Sequence, residues 1–393
     1  MKTVQLIPRR IAAVAAVVLL ALLCARLDPA FAQDLQGGTG VFIKRAFVKV
    51  AANARAARRP PPRRGGARPT TPPAPDRSAL VDEAIKMGNA EREAQPPRLQ
   101  DAERAYQLGA RLDPADARPH AWLGDLYFQQ QRFTEAEAEL RQAVALDPRD
   151  AISYVRLSYM FSKLGRFDEA DAAARRVQQI LPKEYYGYCS MGWSKFRRKS
   201  YDEAAAAYRR AIQLSPRTSG LHSDLGLVLL SQSRYAEAAD AFRHAIQLDP
   251  NSTGALINYG VVLHRLGQLG KAAEAYTQAA AKAPAATQPR SNLGAISYTR
   301  DDRAAAKSHW AESVKLGSAY AVDRAGLLIL DGKLPEALAQ LEQFTQANAE
   351  NADGWLLLGD VRRARGDAEG ARAAYARAAQ LAPEYARLPR PKL

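Results

Sequence analysis

Apolar residues recur at the spacing of α-helices from residue 78 onward. In residues 185–218, for example, the side chains of Ala204 and Tyr208 fall on one face of a helix. An earlier apolar stripe contains Gly192, and Pro216 follows where the helix has to end, because proline donates no backbone hydrogen bond. The pattern therefore predicts two helices joined by a short turn.

The helix pair recurs along the chain at a constant interval, with a period of about 34 residues. The prolines that keep this spacing are Pro114, Pro148, Pro182, Pro216, Pro250 and Pro284. Alanines keep the same spacing at Ala102, Ala136, Ala170, Ala204, Ala238, Ala272 and Ala306. One helix pair cannot bury both of its apolar faces, so successive pairs have to stack into a continuous core.

The order of the repeated residues is an apolar or aromatic residue, Leu-Gly, an aromatic residue, alanines and a terminal proline. This order resembles the tetratricopeptide repeat family, and the last copy carries Trp355, Leu358, Gly359, Tyr375 and Pro383 in register. The resemblance implies an all-α fold, a right-handed superhelical solenoid of about nine helix–turn–helix repeats. The predicted repeats are residues 80–116, 117–150, 151–184, 185–218, 219–252, 253–286, 287–318, 319–351 and 352–385, followed by a tail that begins at residue 384.

Three departures from the pattern predict local irregularities. The first repeat carries a two-residue insertion around residues 95–97. Ser318 replaces the terminal proline of the seventh repeat, and Ala337 follows Ala306 earlier than the period requires. We therefore expect a local change of superhelical twist near residues 316–326.

Most of the basic charge lies outside the repeats. The net charge is +15, and residues 1–77 contribute +11 of it through 14 Lys and Arg against three Asp. Residues 33–77 are rich in proline and arginine, which predicts an extended, largely disordered linker. This linker is either a solvated spacer or a basic arm that contacts an anionic membrane or polymer. The nearly neutral repeat region disfavours nucleic acid as a partner.

The N-terminal segment, residues 1–32, has the features of a signal peptide. A positive end precedes an apolar stretch at residues 11–24, and Ala30 and Ala32 provide the small residues of a cleavage pattern. We predict cleavage after Ala32 and export to the periplasm, the cell surface or the medium. The alternatives are an uncleaved segment that anchors the protein in a membrane and lipid modification at Cys24.

The sequence contains no recognisable motif for catalysis, a cofactor or a metal ion. Its five histidines are scattered, without a zinc-binding spacing. Removal of the signal peptide would leave Cys189 without a second cysteine for a disulfide, and it has no evident partner base. We therefore predict that the protein is not an enzyme, binds no cofactor and holds no metal.

The resemblance implies a partner-binding surface on the concave groove, which the first helix of each repeat lines. It assigns the second, fifth, ninth and twelfth positions of a repeat to this groove. In the third and fourth repeats these positions bring aromatic residues close to cationic ones, and we expect the aromatic side chains to be exposed. The candidate residues in these two repeats are Tyr159, Tyr186, Trp193, Phe196 and Arg197.

Asp224, Asn258 and Asn292 occupy the sixth position of three successive repeats. They resemble part of the asparagine ladder by which some members of the family hold an extended peptide, each amide offering a donor and an acceptor. The family's clamp for C-terminal carboxylates is not matched, because Ala121 and Asp125 occupy its positions in the second repeat.

These patterns predict an exported interaction scaffold that binds a protein or peptide in the groove, with a role in envelope complex assembly. The alternative is a module that binds a glycan or an anionic polymer of the cell envelope through the groove aromatics and the basic linker. The sequence pattern predicts no particular oligomeric state.

Overall fold

The computed structural model describes residues 77–386. The predicted signal peptide, nearly all of the basic linker and most of the tail that begins at residue 384 lie outside the described residues. The described chain falls into two compact units, which we call unit 1 (residues 77–221) and unit 2 (residues 222–386). The predicted all-α architecture of repeated helix pairs is confirmed.

The helices follow the predicted repeat. Those of unit 1 are α1 (Arg77–Glu93), α2 (Leu99–Leu112), α3 (Ala117–Gln129), α4 (Phe133–Leu146), α5 (Ala151–Lys163), α6 (Phe167–Ile180), α7 (Tyr186–Arg197) and α8 (Tyr201–Leu214). Helix α9 (Ser219–Ser231) contains the boundary, and unit 2 continues with α10 (Tyr235–Leu248), α11 (Thr253–Arg265), α12 (Leu269–Lys282), α13 (Gln288–Thr299), α14 (Arg303–Lys315), α15 (Ala321–Leu330), α16 (Leu334–Ala347), α17 (Ala352–Ala364), α18 (Ala368–Leu381) and a 3₁₀ turn (Pro383–Ala386). None of the helices within residues 77–386 combines the length and apolar character needed to cross a membrane.

The small residues of each second helix lie in the core, as the regular spacing of the alanines predicts. The seven alanines from Ala102 to Ala306 are completely buried. In most repeats the glycine of the first helix faces a bulky side chain of its partner helix. A Cβ atom built on Gly294 of α13, for instance, would lie 2.4 Å from the Trp310 ring of α14. Gly326 of α15 approaches the same ring as closely, so the indole fills the space between two backbones.

Ser158 stands where neighbouring repeats carry this glycine, and its hydroxyl is accommodated by a hydrogen bond. The side chain is fully buried, and its Oγ donates to the carbonyl oxygen of Ala170 on α6 at 2.8 Å. A buried hydroxyl is tolerated when it finds such an acceptor, so the repeat keeps its close helix contact.

The distance in sequence between the seventh and eighth repeats is short because the first helix of the eighth repeat, α15, is short. Helix α15 has 10 residues, whereas α11 and α17 have 13 each. The insertion of the first repeat lies between α1 and α2, in a turn of residues 94–98. The predicted irregularities therefore coincide with one shortened helix and one lengthened turn.

Ser318, which replaces the expected proline, belongs to a buried polar cluster around Asp323 of α15. The carboxylate of Asp323 accepts hydrogen bonds from the hydroxyls of Ser313 at 2.7 Å and Ser318 at 2.8 Å, and from Ser291 on α13. Asp323 itself is completely buried. The cluster joins α13, α14 and α15, so a hydrogen-bonded carboxylate holds the chain where the repeat departs from its pattern.

Asp323 should make the stability of unit 2 dependent on pH. Burial raises the pKa of Asp323, and the three hydroxyl donors lower it to a smaller extent. The folded state therefore holds this proton more tightly than the unfolded state. The contribution of Asp323 to stability is greatest at acidic pH and falls as the pH rises from the unfolded pKa of about 3.9 through the folded pKa.

The measurement is the free energy of unfolding of wild type and Asp323→Asn in urea between about pH 4 and pH 7. We expect the stability of the wild type relative to the variant to fall over this range. A constant difference would show that the carboxyl does not titrate with folding.

A second prediction tests the close approach at Trp310. Gly294→Ala should lower the free energy of unfolding by about 1–3 kcal/mol, because the added Cβ overlaps the buried indole and the ring has to shift. Gly270→Ala on α12 is the matched control, since no atom lies within 4 Å of the added Cβ. The control should raise stability by about 0.5–1 kcal/mol through helix propensity. Equal shifts in urea midpoint for the two variants would contradict the packing argument.

Candidate functional site

A row of aromatic rings crosses the first helices α3, α5 and α7 of unit 1. The ring of Phe128 lies 5.6 Å from that of Tyr159, and Tyr159 stacks on Trp193 with centroids 5.6 Å apart. Phe196 continues the row at a centroid distance of 5.9 Å from Trp193. Rings at these separations attract one another beyond their burial. We call Phe128, Tyr159, Trp193 and Phe196 the aromatic row.

The repeat itself places these rings side by side. Tyr159 and Trp193 occupy the ninth position of consecutive repeats, and Phe128 and Phe196 occupy the twelfth. Because equivalent positions on stacked repeats lie next to one another, residues that are one repeat apart in sequence come into contact.

Two cations lie over rings of this surface. The Nζ atom of Lys163, at the end of α5, is 5.7 Å from the Phe128 centroid, and the Cζ atom of Arg197 is 5.8 Å from the Trp193 centroid. Both side chains are half-buried. Cation–π contacts of this kind keep the positive charges at the edge of the aromatic row.

A buried charged cluster adjoins Trp122 of α3. Arg92 donates to the Asp125 carboxylate at 3.0 Å, and the Nε atom of Arg156 lies 3.4 Å from its other oxygen. Both guanidinium groups lie over the Trp122 ring, at 5.3 Å and 5.4 Å from its centroid. Two guanidiniums share one carboxylate, so the cluster retains a positive charge that favours anionic ligand groups.

The structure corrects the expected exposure of two predicted residues. Trp193 is only 5% exposed and Tyr186 only 3%. Trp193 is covered on its two sides by other members of the row, whereas Tyr186 packs against Tyr185 with ring centroids 4.3 Å apart. Burial raises the pKa of Tyr186. The other three predicted residues of these two repeats, Tyr159, Phe196 and Arg197, are half-buried and retain accessible surface.

The predicted polar ladder lies in unit 2 and is not open to solvent throughout. Asp224 is only 2% exposed, which corrects the expectation that its carboxylate faces a ligand. Asn258 and Asn292 are half-buried, and the side chain of Asn292 is hydrogen-bonded to the Tyr276 hydroxyl. The structure therefore brings Tyr159, Trp193 and Phe196 together in one surface, places Tyr186 against Tyr185 and leaves the ladder as a separate prediction.

Sequence reasoning overlooked three contributors to this surface: Phe128, Lys163 and Trp122. Phe128 occupies the twelfth position of the second repeat, so the same register that selected Phe196 also identifies it. The cluster of Trp122 with two arginines carries no comparable sequence pattern, because its charged members come from three different repeats.

A family model for the tetratricopeptide repeat matches residues 87–151, 123–185, 189–253, 224–287 and 327–386, together more than half of the chain. The chain belongs to the tetratricopeptide repeat family. This assignment agrees with the helix pairs and with the glycine and alanine positions described above. No curated protein matches the sequence.

Several solved structures are similar to this chain at low sequence identity. The match to a chain of the APC/C hetero-tetramer Cut9–Hcn1 covers 78% of this chain and 60% of that chain, with 14% identity and a TM-score of 0.51. A monomeric mutant of IFIT1 with Gppp-AAAA matches 77% of this chain and 72% of its own with 18% identity and a TM-score of 0.50. Pseudomonas aeruginosa pilF matches 56% of this chain and 98% of its own with 21% identity and a TM-score of 0.47. At these identities the likeness concerns the fold alone.

Proteins of the tetratricopeptide repeat family are generally interaction scaffolds rather than enzymes. Within residues 77–386 no three His, Cys, Asp or Glu side chains are grouped as metal ligands. The histidines take part in packing and pairing, as at His120, whose Nδ1 lies 2.7 Å from a Glu139 carboxylate oxygen.

The burial of Trp193 predicts a large effect of its removal on folding. Trp193→Ala should lower the free energy of unfolding by about 3–5 kcal/mol, because it leaves a cavity at the centre of the aromatic row. Phe196→Ala, at the half-buried end of the same row, is expected to cost less. Chemical unfolding of both variants tests this order, and a Trp193→Ala variant as stable as the wild type would show that the indole is not part of the core.

Proposed function

We propose that the protein is an exported scaffold that binds a peptide or protein segment on the first-helix surface of unit 1. The observation that carries this proposal is the continuous aromatic row across α3, α5 and α7. Its half-buried members can bury more surface against a ligand, and large rings flanked by cations are typical anchors of interfaces.

The charges around the row favour a ligand that carries acidic side chains beside apolar ones. Lys163 and Arg197 lie at the rings, and Arg92 and Arg156 outnumber the single carboxylate of Asp125 in the adjoining cluster. An acidic residue of a ligand near these cations gains favourable electrostatic energy and is guided to the surface. Apolar residues of the same ligand pack on Tyr159 and Phe196.

Export is supported by the sequence pattern of residues 1–32 and belongs to the same proposal. A scaffold of this kind in the cell envelope, or outside the cell, acts by bringing other proteins together.

The binding surface is tested with random peptides displayed on phage and selected against the full chain. The selected peptides are then titrated by fluorescence anisotropy against wild type, Tyr159→Ala and Phe196→Ala. Each row variant should weaken binding at least about tenfold, because truncation of an interface anchor costs more than about 1 kcal/mol. Tyr188→Ala is the matched control, since this half-buried tyrosine lies on α7 under Arg210 of α8 rather than in the row.

Two outcomes would overturn the proposal. Equal affinity of row variants and wild type would place peptide binding elsewhere. The second outcome is that no peptide is selected but the protein binds heparin, which serves as an anionic polymer. If heparin binding weakens steeply with salt and disappears on deletion of residues 51–77, the polymer-binding alternative is favoured. Peptide binding through the row should depend only moderately on salt.

A further inference from the structure

Tyr385 lies after the last helix of the repeats and is nevertheless buried within unit 2. It belongs to the 3₁₀ turn that follows α18 and is only 2% exposed. Its ring lies 5.9 Å from the His264 ring, and the Cζ atom of Arg265 is 5.6 Å from its centroid. Its hydroxyl donates a hydrogen bond to Asp353 Oδ1. A residue near the end of the chain therefore contacts α11, which belongs to a repeat far earlier in the sequence.

Three of the residues around Tyr385 occupy positions that the family resemblance assigns to the groove. His264 is the twelfth residue of its repeat, and Asp353 and Leu356 are the second and fifth residues of theirs. These are the positions to which the repeat pattern assigns partner binding. Tyr385 thus packs against side chains of two first helices of unit 2, α11 and α17.

The chemistry of this site fits a phenol ring. The carboxylate of Asp353 accepts the hydroxyl hydrogen, the guanidinium of Arg265 lies over the ring, and the Leu356 side chain adds apolar contact in the same buried cluster. A carboxylate acceptor distinguishes tyrosine from phenylalanine, because phenylalanine would leave the acceptor without its donor.

Space remains beside the tyrosine. A cavity of about 20 Å³ is bordered by Tyr385 and by His264, Tyr298, Trp310 and Asp353. This volume is enough for a water molecule but not for a side chain, so with Tyr385 in place no second side chain fits beside it.

We propose that the recess of unit 2 that holds Tyr385 is a binding site for the tyrosine side chain of a peptide, and that the C-terminal segment of the chain occupies it as an intramolecular ligand. The occupant is Tyr385 with the turn of residues 383–386. A peptide that carries a tyrosine competes for the same contacts. The segment is attached to α18, so its effective concentration at the site is high and an added peptide competes poorly until the segment is removed. The proposal concerns unit 2 and does not depend on the function proposed for unit 1.

The experiment uses the full chain and a fluorescein-labelled peptide with the sequence of residues 378–393. We expect fluorescence anisotropy to show little binding to the wild type and at least about tenfold tighter binding to Tyr385→Ala, because the substitution vacates the recess. The double variant Tyr385→Ala with Asp353→Ala should lose the gain, since the hydroxyl then has no acceptor. A peptide with phenylalanine in place of Tyr385 should bind about tenfold more weakly than the tyrosine peptide.

Tyr385→Phe keeps the ring and removes only its hydrogen bond, so it remains informative if Tyr385→Ala fails to fold. It should bind the added peptide with an affinity between those of the wild type and the alanine variant. The proposal is overturned if folded Tyr385→Ala or Tyr385→Phe binds the peptide no better than the wild type. It is also overturned if a peptide with alanine in place of Tyr385 binds as tightly as the tyrosine peptide, because binding would then not involve the recess.

Discussion

The close approach of two helices within each repeat is the interaction on which the rest of this protein depends. It requires a small residue on each helix at a fixed position, such as Gly192 on α7 and Ala204 on α8, and a bulky side chain packed against the glycine. Because the same requirement recurs once in every repeat, each pair stacks on the next in the same orientation within a unit. The surface of the first helices follows from this stacking.

At two positions where the sequence departs from the repeat pattern, a buried serine makes a hydrogen bond. Ser158 replaces a glycine and satisfies its hydroxyl with the carbonyl of Ala170. Ser318 replaces a proline and donates to the buried carboxylate of Asp323. In both places the substituted side chain is buried, so its hydrogen bond is necessary for the close packing to persist. The irregular repeats are therefore held by hydrogen bonds that the regular repeats do not need.

The first-helix positions are used in two ways. In unit 1, aromatic side chains at the ninth and twelfth positions contact one another and form a surface with accessible edges. In unit 2, His264 at a twelfth position and Asp353 at a second position contact a tyrosine of the same chain. The backbone geometry is shared, and the side chains at four positions per repeat decide whether the surface is open or filled. This division explains how one repeated fold can present different recognition chemistry along a single chain.

Sequence alone determined the helix pairs, their constant period and the buried alanines, because these features depend on neighbouring residues and recur many times. It also identified Tyr159, Trp193 and Phe196 as members of one surface, since repeat register converts sequence spacing into spatial proximity. Tertiary structure alone decided that Trp193 and Asp224 are buried, because the exposure of a side chain depends on the size of its neighbours in adjacent repeats. It alone brought Tyr385 to His264, because a contact between residues so far apart in sequence depends on how distant helices pack and is encoded by no repeat period.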